Sequence, residues 1–306
     1  MKFLAYWNGN IPAISELFFS SFLATQTGNL ELYLENCNNL KDISFLFKNS
    51  RVEIKEIKLE YLSKGTIFEK FFPSREQNYF DTLIIQAYNK YFTLKSQMYK
   101  KVFLDRLPRH PSRLRHPVMG LTATSKSIIE IPFYGSVKEQ YKLSYWGDIF
   151  RLLMCVKEKD SFVYTDLDVC FLKDFTSLYE QGDFVYEWEH QKFANSAILF
   201  SSDKGILKKN ISALVEKYDT VVPWFIFSKT EPLIKELKIL PCEIFDPLWK
   251  QKNCIGFDSF FKDDLVMDML NNSYAYHWHN HWKTKPKKGS CYDILVNKFK
   301  FALQHS

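Results

Sequence analysis

Apolar residues fill Lys2 to Trp7 and stop at the polar turn Asn8-Gly9-Asn10, the pattern of a short buried strand. Pro12 then opens a helical pattern through Leu17, Phe18 and Phe22 toward Thr25, and Leu30 to Leu34 and Val52 to Ile57 read as two further strands. Helical periodicity returns at Leu143, with Trp146, Ile149, Phe150, Leu152, Leu153 and Val156 apolar, and ends in the charged run Lys157-Glu158-Lys159-Asp160. A strand follows at Phe162-Val163-Tyr164. Phe184 to Tyr186 and Ala197 to Phe200 read as strands, Ile206 to Tyr218 as a helix, and Trp224 to Phe227 as an aromatic stretch. Strands alternating with helices predict an α/β fold with a mostly parallel, Rossmann-like central sheet and helices on both faces. With no internal repeat or low-complexity tract, residues 1–306 read as a single domain with insertions.

One stretch breaks the pattern. Across 101–127 the residues Arg106, Arg109, His110, Arg113, Arg115 and His116 interleave with three prolines, which predicts a long basic loop: a solvated surface segment, or a lid that meets an acceptor. Elsewhere 46% hydrophobic and 25% charged residues describe an ordinary globular chain, and 17% aromatic content leaves rings to spare for a groove. A net charge of +6 is too small for a dedicated nucleic-acid binder and suits an anionic small ligand or a membrane surface. The six cysteines are widely spaced, so they read as reduced core residues. No apolar leader core or run of 18 apolar residues occurs, which predicts a cytosolic protein or one peripheral on the cytosolic face of a membrane.

The sharpest local chemistry is Phe162 to Val169, an apolar strand running into Asp166-Leu167-Asp168. Two carboxylates at the carboxyl end of a strand in an α/β sheet either cap the next turn or hold a divalent cation in the crevice. Mg²⁺ or Mn²⁺ on one or two carboxylates, completed by diphosphate oxygens, would suit a nucleotide-sugar. Asp148 and Arg151 stand three apart on one face of the preceding helix, among apolar neighbours where an exposed ion pair is not expected. Near the end of the chain His277, His279 and His281 alternate, so in a strand all three would face one side beside Trp278 and Trp282. Lys283, Lys285, Lys287 and Lys288 follow, as a solvated tail, a diphosphate clamp or a membrane contact.

Ser144 to Leu153 followed by Tyr164 to Val169 resembles the DxD sugar-binding region of glycosyltransferase family 32, and the large clostridial glucosylating toxins show a related pattern. Tyr6 to Pro12 is similar to the family's first strand and turn, Ala194 to Ala197 to its small polar turn beneath the donor sugar, and Asn272 to Trp282 to its late His-x-x-Asn block. The chain departs from the family at Lys159-Asp160-Ser161, where the family has Gly-Gly. The resemblance implies a GT-A fold and retaining transfer of a hexose-type sugar from a nucleotide-sugar, UDP before GDP, to a glycan, glycolipid or other hydroxyl acceptor. It also implies Mn²⁺ or Mg²⁺ on Asp166, Asp168 and His277, with Asp148 and Arg151 contacting donor sugar and ribose. Trp7, as an exposed ring near the nucleotide base, would share the donor with Tyr6, Asn8, Gly9, Tyr164, Asn195, His279 and Asn280. Residues 272–306 would fold over the donor, so a chain ending after Tyr276 should lose transfer more completely than stability. Two rivals share parts of this pattern: a Mg²⁺-dependent phosphoryl-transfer or nuclease site, and an inactive carbohydrate-binding or effector module.

Overall fold

A computed structural model of the chain describes residues 1–41, 49–72, 139–188, 191–248 and 255–304. The chain divides into two compact units, Met1–Glu69 with Trp146–Ser306, and Lys70–Tyr145, and nearly all described residues belong to the first. The basic segment 101–127 and Cys254 lie outside the described residues.

The N-terminal apolar run is β1 (Lys2–Asn8), buried from Phe3 through Trp7 as befits a strand covered on both faces. A 3-10 turn after Pro12 leads into α1 (Glu16–Thr25), followed by β2 (Asn29–Glu35) and β3 (Val52–Glu56). The helix expected from Leu143 is α2 (Glu139–Lys157); its polar opening residues carry no apolar signature. Then come β4 (Phe162–Thr165), β5 (Val169–Phe171), β6 (Phe184–Glu187), β7 (Ala194–Ser201) and α3 (Ile206–Tyr218). The chain closes with β8 (Lys238–Leu240), α4 (Ile255–Lys262), β9 (Ala275–His277) and α5 (Cys291–Gln304).

Seven strands form one sheet in the order β3-β2-β1-β4-β7-β6-β8, and β5 pairs with β9 in a second, two-stranded sheet. Within the large sheet only β7 runs against the others, being antiparallel to both β4 and β6. Residues 188–193, between β6 and β7, are too few for the crossover that a parallel pairing needs. Much of the aromatic excess is core: Phe3, Phe18, Phe22, Phe171 and Phe175 are at most 1% exposed, with Phe3 and Phe22 centroids 5.1 Å apart and Phe18 and Phe171 5.5 Å apart. Each ring so buried contributes about 1.5–3 kcal/mol. The cluster pins α1 to β1 and β5, and α5 packs on α1 from outside. Five of the six cysteines are described; none of these forms a disulfide and all but Cys37 are buried.

Candidate active site

The strand order turns back between β1 and β4, since β2 and β3 extend one side of β1 and β4 lies on the other. The crevice at the carboxyl ends of such a pair is where open α/β sheets bind ligands. Asp166 leaves β4 at this edge, with its backbone N–H donating to Ala197 O at 2.8 Å, and Asp168 directly precedes β5.

Arg151 is the hub behind Asp166. On α2, whose residues 147–155 are all buried, its guanidinium donates through Nε to Gly147 O (3.2 Å), through Nη1 to Ser196 Oγ (3.0 Å) and through Nη2 to Asp166 Oδ1 (3.0 Å). Asp148 Oδ1 lies 3.3 Å from Nη2, so Asp148 and Arg151 form a buried i,i+3 pair. The Tyr164 hydroxyl also donates to Asp166, and its ring lies under the guanidinium, 4.7 Å from Cζ to centroid. Burial pushes the Asp148 carboxyl up to about 7, against the pull of Arg151 and with help from Asp166. Asp166 is likewise raised by burial, opposed by Arg151 and reinforced by Asp168.

The last block of the chain completes the arrangement. β9 pairs with β5 in the register Val169↔His277, and Trp278 N–H donates to Asp168 O at 2.9 Å. His277 Nε2 lies 3.3 Å from Asp168 Oδ2, and its Nδ1 is 2.8 Å from the Tyr186 hydroxyl. The strand ends here, so the three histidines do not share a strand face. His279 and Asn280 adopt left-handed backbone (φ 51° and 62°), which costs roughly 1–2 kcal/mol for an ordinary L-residue and less for Asn. That turn aims the Asn280 N–H at Asp168 Oδ2, 2.6 Å away. His279 reaches Asp246 instead, its ring tilted 34° against that of His277 with centroids 4.0 Å apart, while His281 packs against Phe261. Burial works against ionisation of Asp168, but His277 and the Asn280 amide hold its carboxyl below the ordinary range. His277 is raised despite burial, because Asp168 faces it, whereas burial lowers His279.

Asp166, Asp168 and His277 offer ligand atoms that all lie within 4.8 Å of one another, and Asp246, His277 and His279 form a second such group. Two carboxylates and an imidazole are a donor set that Mn²⁺ accepts readily and Mg²⁺ accepts through the oxygens. Neighbouring ligands at ~2.1 Å on an octahedral ion stand roughly 3 Å apart; the 3.3 Å between His277 Nε2 and Asp168 Oδ2 fits that spacing. A metal-ligating histidine ordinarily has its other nitrogen fixed by a polar partner, and Tyr186 occupies that position.

The N-terminal residues separate by strand alternation. Tyr6 stacks on Phe150 (5.0 Å) and donates to Glu35 Oε2 at 2.6 Å, with Asn8 Nδ2 on the same carboxylate. Trp7 is only 9% exposed, not the open ring that a strand end suggests. Its indole N–H donates to Asn10 O, and Trp282 covers it edge-on at 4.7 Å. Gly9, at φ 101°, makes the turn that follows. Asn195 lies in β7, not in a turn: the small polar residues there follow strand pairing with Tyr186, and Asn195 Oδ1 accepts from Ala197 N–H. Tyr186 and Asp246 carry no motif, and Ser196 lies within the Ala194 to Ala197 segment, where nothing in the sequence singles it out. They are found only when distant segments are brought together.

No family model matches the sequence, and no curated protein matches it. Solved structures do resemble the fold. The bifunctional glycosyltransferase WbbM aligns over 98% of this chain and 49% of its own, with TM-score 0.51 and 9% identity. The glycosyltransferase GlyE of Streptococcus pneumoniae TIGR4 aligns over 100% of this chain and 63% of its own (TM-score 0.47, 12% identity). Mouse xyloside xylosyltransferase 1 aligns over 92% and 98% (TM-score 0.45, 12% identity). The chain therefore has the α/β, Rossmann-like GT-A fold found among glycosyltransferases.

Proposed function

We propose that the chain is a metal-dependent, retaining glycosyltransferase that moves a hexose-type sugar from a nucleotide-sugar, UDP-linked by preference, to a hydroxyl of a glycan or glycolipid. The reading rests on one observation above all: Asp166, Asp168 and His277 converge from distant parts of the chain at the carboxyl edge of β4, with Arg151 buried behind them. Asp166, Asp168 and His277 would hold Mn²⁺ or Mg²⁺, and the chemistry such an ion would supply is neutralisation of charge on the leaving diphosphate. Arg151, with its donors engaged by Gly147, Ser196, Asp148 and Asp166, keeps Asp166 in place more than it reaches outward. Trp7 and Trp282, which join the two ends of the chain, flank the place for the nucleotide. Tyr6, Asn8, Gly9, Tyr164, Asn195, His279 and Asn280 surround the donor or hold those that do. Donor covering falls to residues 278–290, because α5 is docked on α1. No helix among the described residues is long and apolar enough to cross a membrane, and Lys283, Lys285, Lys287 and Lys288, all exposed, are the segment for any peripheral contact.

The test is release of free UDP from UDP-sugars with and without Mn²⁺. Asp166→Asn and Asp168→Asn, both isosteric, should each lower metal-dependent turnover by ~100-fold or more, with the far-ultraviolet circular dichroism unchanged. His277→Ala should raise the Mn²⁺ concentration for half-maximal activity. A nuclease or phosphoryl-transfer enzyme would cleave at phosphorus and leave the sugar phosphorylated. Full turnover in either Asn variant sinks the metal reading.

A further inference from the structure

Asp246 stands in no motif, yet it is 0% exposed. Its Oδ2 is bound to His279 Nε2, and among the described residues its Oδ1 makes no hydrogen bond. Burying a carboxylate is unfavourable unless it is partnered, so the side chain that meets it among the described residues matters. That partner is the first of two consecutive left-handed residues, neither of them glycine, and the second, Asn280, points its amide at Asp168 Oδ2 from 2.6 Å. The His279 ring is gripped further by Trp188, stacked at 6.1 Å with planes 8° apart, and by His277 at 4.0 Å. The anchor itself is fixed: Asp246 N–H donates to Cys242 O at 2.7 Å, and Phe245 O accepts from His277 N–H at 3.0 Å.

We propose that Asp246 is a positioning residue: by anchoring His279 it holds the strained turn at 279–280 that aims the Asn280 amide at Asp168. This deepens the glycosyl-transfer reading and rests on it, since Asp168 is the carboxylate placed to hold the ion. A charge-assisted hydrogen bond from a fixed amide orients Asp168 through Oδ2, the oxygen that stands 3.3 Å from His277 Nε2, and so fixes the carboxylate that would hold the ion. The geometry also offers a competing role, in which Asp246 is itself a ligand of a second ion with His277 and His279.

The two are separated by glycine, which takes left-handed backbone without an anchor. In the ¹⁵N-labelled full chain in metal-free buffer, Asp246→Asn keeps the volume and loses the charge. It should speed hydrogen exchange of the Asn280 amide by ~10-fold or more and move its low-field resonance upfield. The double variant Asp246→Asn/His279→Gly should recover most of that protection. Should Asp246→Asn fail to fold, His279→Ala against His279→Gly reads the same turn, with protection lost in the first and kept in the second. Mn²⁺ titration by electron paramagnetic resonance should follow the amide, half-saturation rising by ~10-fold in Asp246→Asn and returning in the double variant. An unchanged Asn280 amide in Asp246→Asn, a double variant no better protected than the single, or equal protection in His279→Ala and His279→Gly overturns the proposal. Protection recovered without recovery of Mn²⁺ affinity assigns Asp246 to the ion and overturns it as well. A wild-type chain that binds neither Mn²⁺ nor UDP sinks the transfer reading instead, and the amide exchange still decides the positioning role.

Discussion

Asp148 shows how a single residue couples the site to stability. Its carboxyl is pushed up to about 7 in the folded chain from an ordinary 3.8, chiefly by burial. The folded state therefore holds a proton there that the unfolded state has already lost. Stability from this group is fully present below about pH 4 and drains away as pH rises through 7. Asp148→Asn imitates the protonated form. In metal-free buffer its melting temperature should match wild type near pH 4 and exceed it at pH 8, by an amount worth more than ~1 kcal/mol. Equal melting curves at pH 8 would mean that Arg151 keeps Asp148 ionised without penalty. The same residue illustrates what sequence could reach: its apolar neighbours and three-residue spacing from Arg151 foretold a buried pair, but not that Asp166 would share the guanidinium.

At the scale of elements, α3 shows a cap that spacing cannot predict. Its N-cap, Gly205, has no side chain to offer, and the free amide of Leu207 donates to Asp183 Oδ2 at 2.8 Å, just before β6. Asp183 Oδ1 also accepts from Ser202 N–H at 2.7 Å, so one carboxylate ties the end of β7 to the start of α3. A Cβ on Gly205 would stand 2.0 Å from that carboxylate. Gly205→Ala should therefore displace Asp183 and cost about 1–3 kcal/mol, read as a lower urea midpoint with unchanged slope. Asp183→Asn should also destabilise, since its one amide oxygen can replace only one of the two accepting oxygens and its NH2 would face the other N–H. An alanine variant as stable as wild type would show that the cap tolerates rearrangement.

For the whole molecule, the C-terminal block is as much core as lid. Trp278 is fully buried, and α5 buries Tyr292, Leu295, Val296 and Phe299. At ~1.5–3 kcal/mol for each such side chain, their loss rivals the ~5–15 kcal/mol that holds a domain together. A chain ending after Tyr276 should be recovered unfolded or insoluble, against the expectation that it would lose transfer more completely than stability. Trp282→Ala is the cleaner probe of donor covering. It uncovers Trp7 while leaving α5 in place, and should weaken UDP binding with little change in melting temperature. A soluble, cooperatively folded truncation would place the core elsewhere than on α1 and α5.

The linear chain determined what neighbouring residues decide between themselves. Unbroken apolar runs marked β1 and β4 and helical period marked α1 and α3, because a strand covered on both faces is apolar at every position and side chains three or four apart share one face of a helix. The Asp166-Leu167-Asp168 triplet after an apolar strand was legible for the same reason. Tertiary structure alone decided that β7 runs backwards, that Trp7 lies under Trp282, that His279 turns away from His277's strand, and that Asp246 meets His279, Tyr186 meets His277 and Ser196 meets Arg151. Those contacts join residues far apart in the chain, Asp246 to His279 and Arg151 to Ser196 among them. No local propensity specifies such a meeting, since it exists only after the sheet has brought its strand ends to one edge.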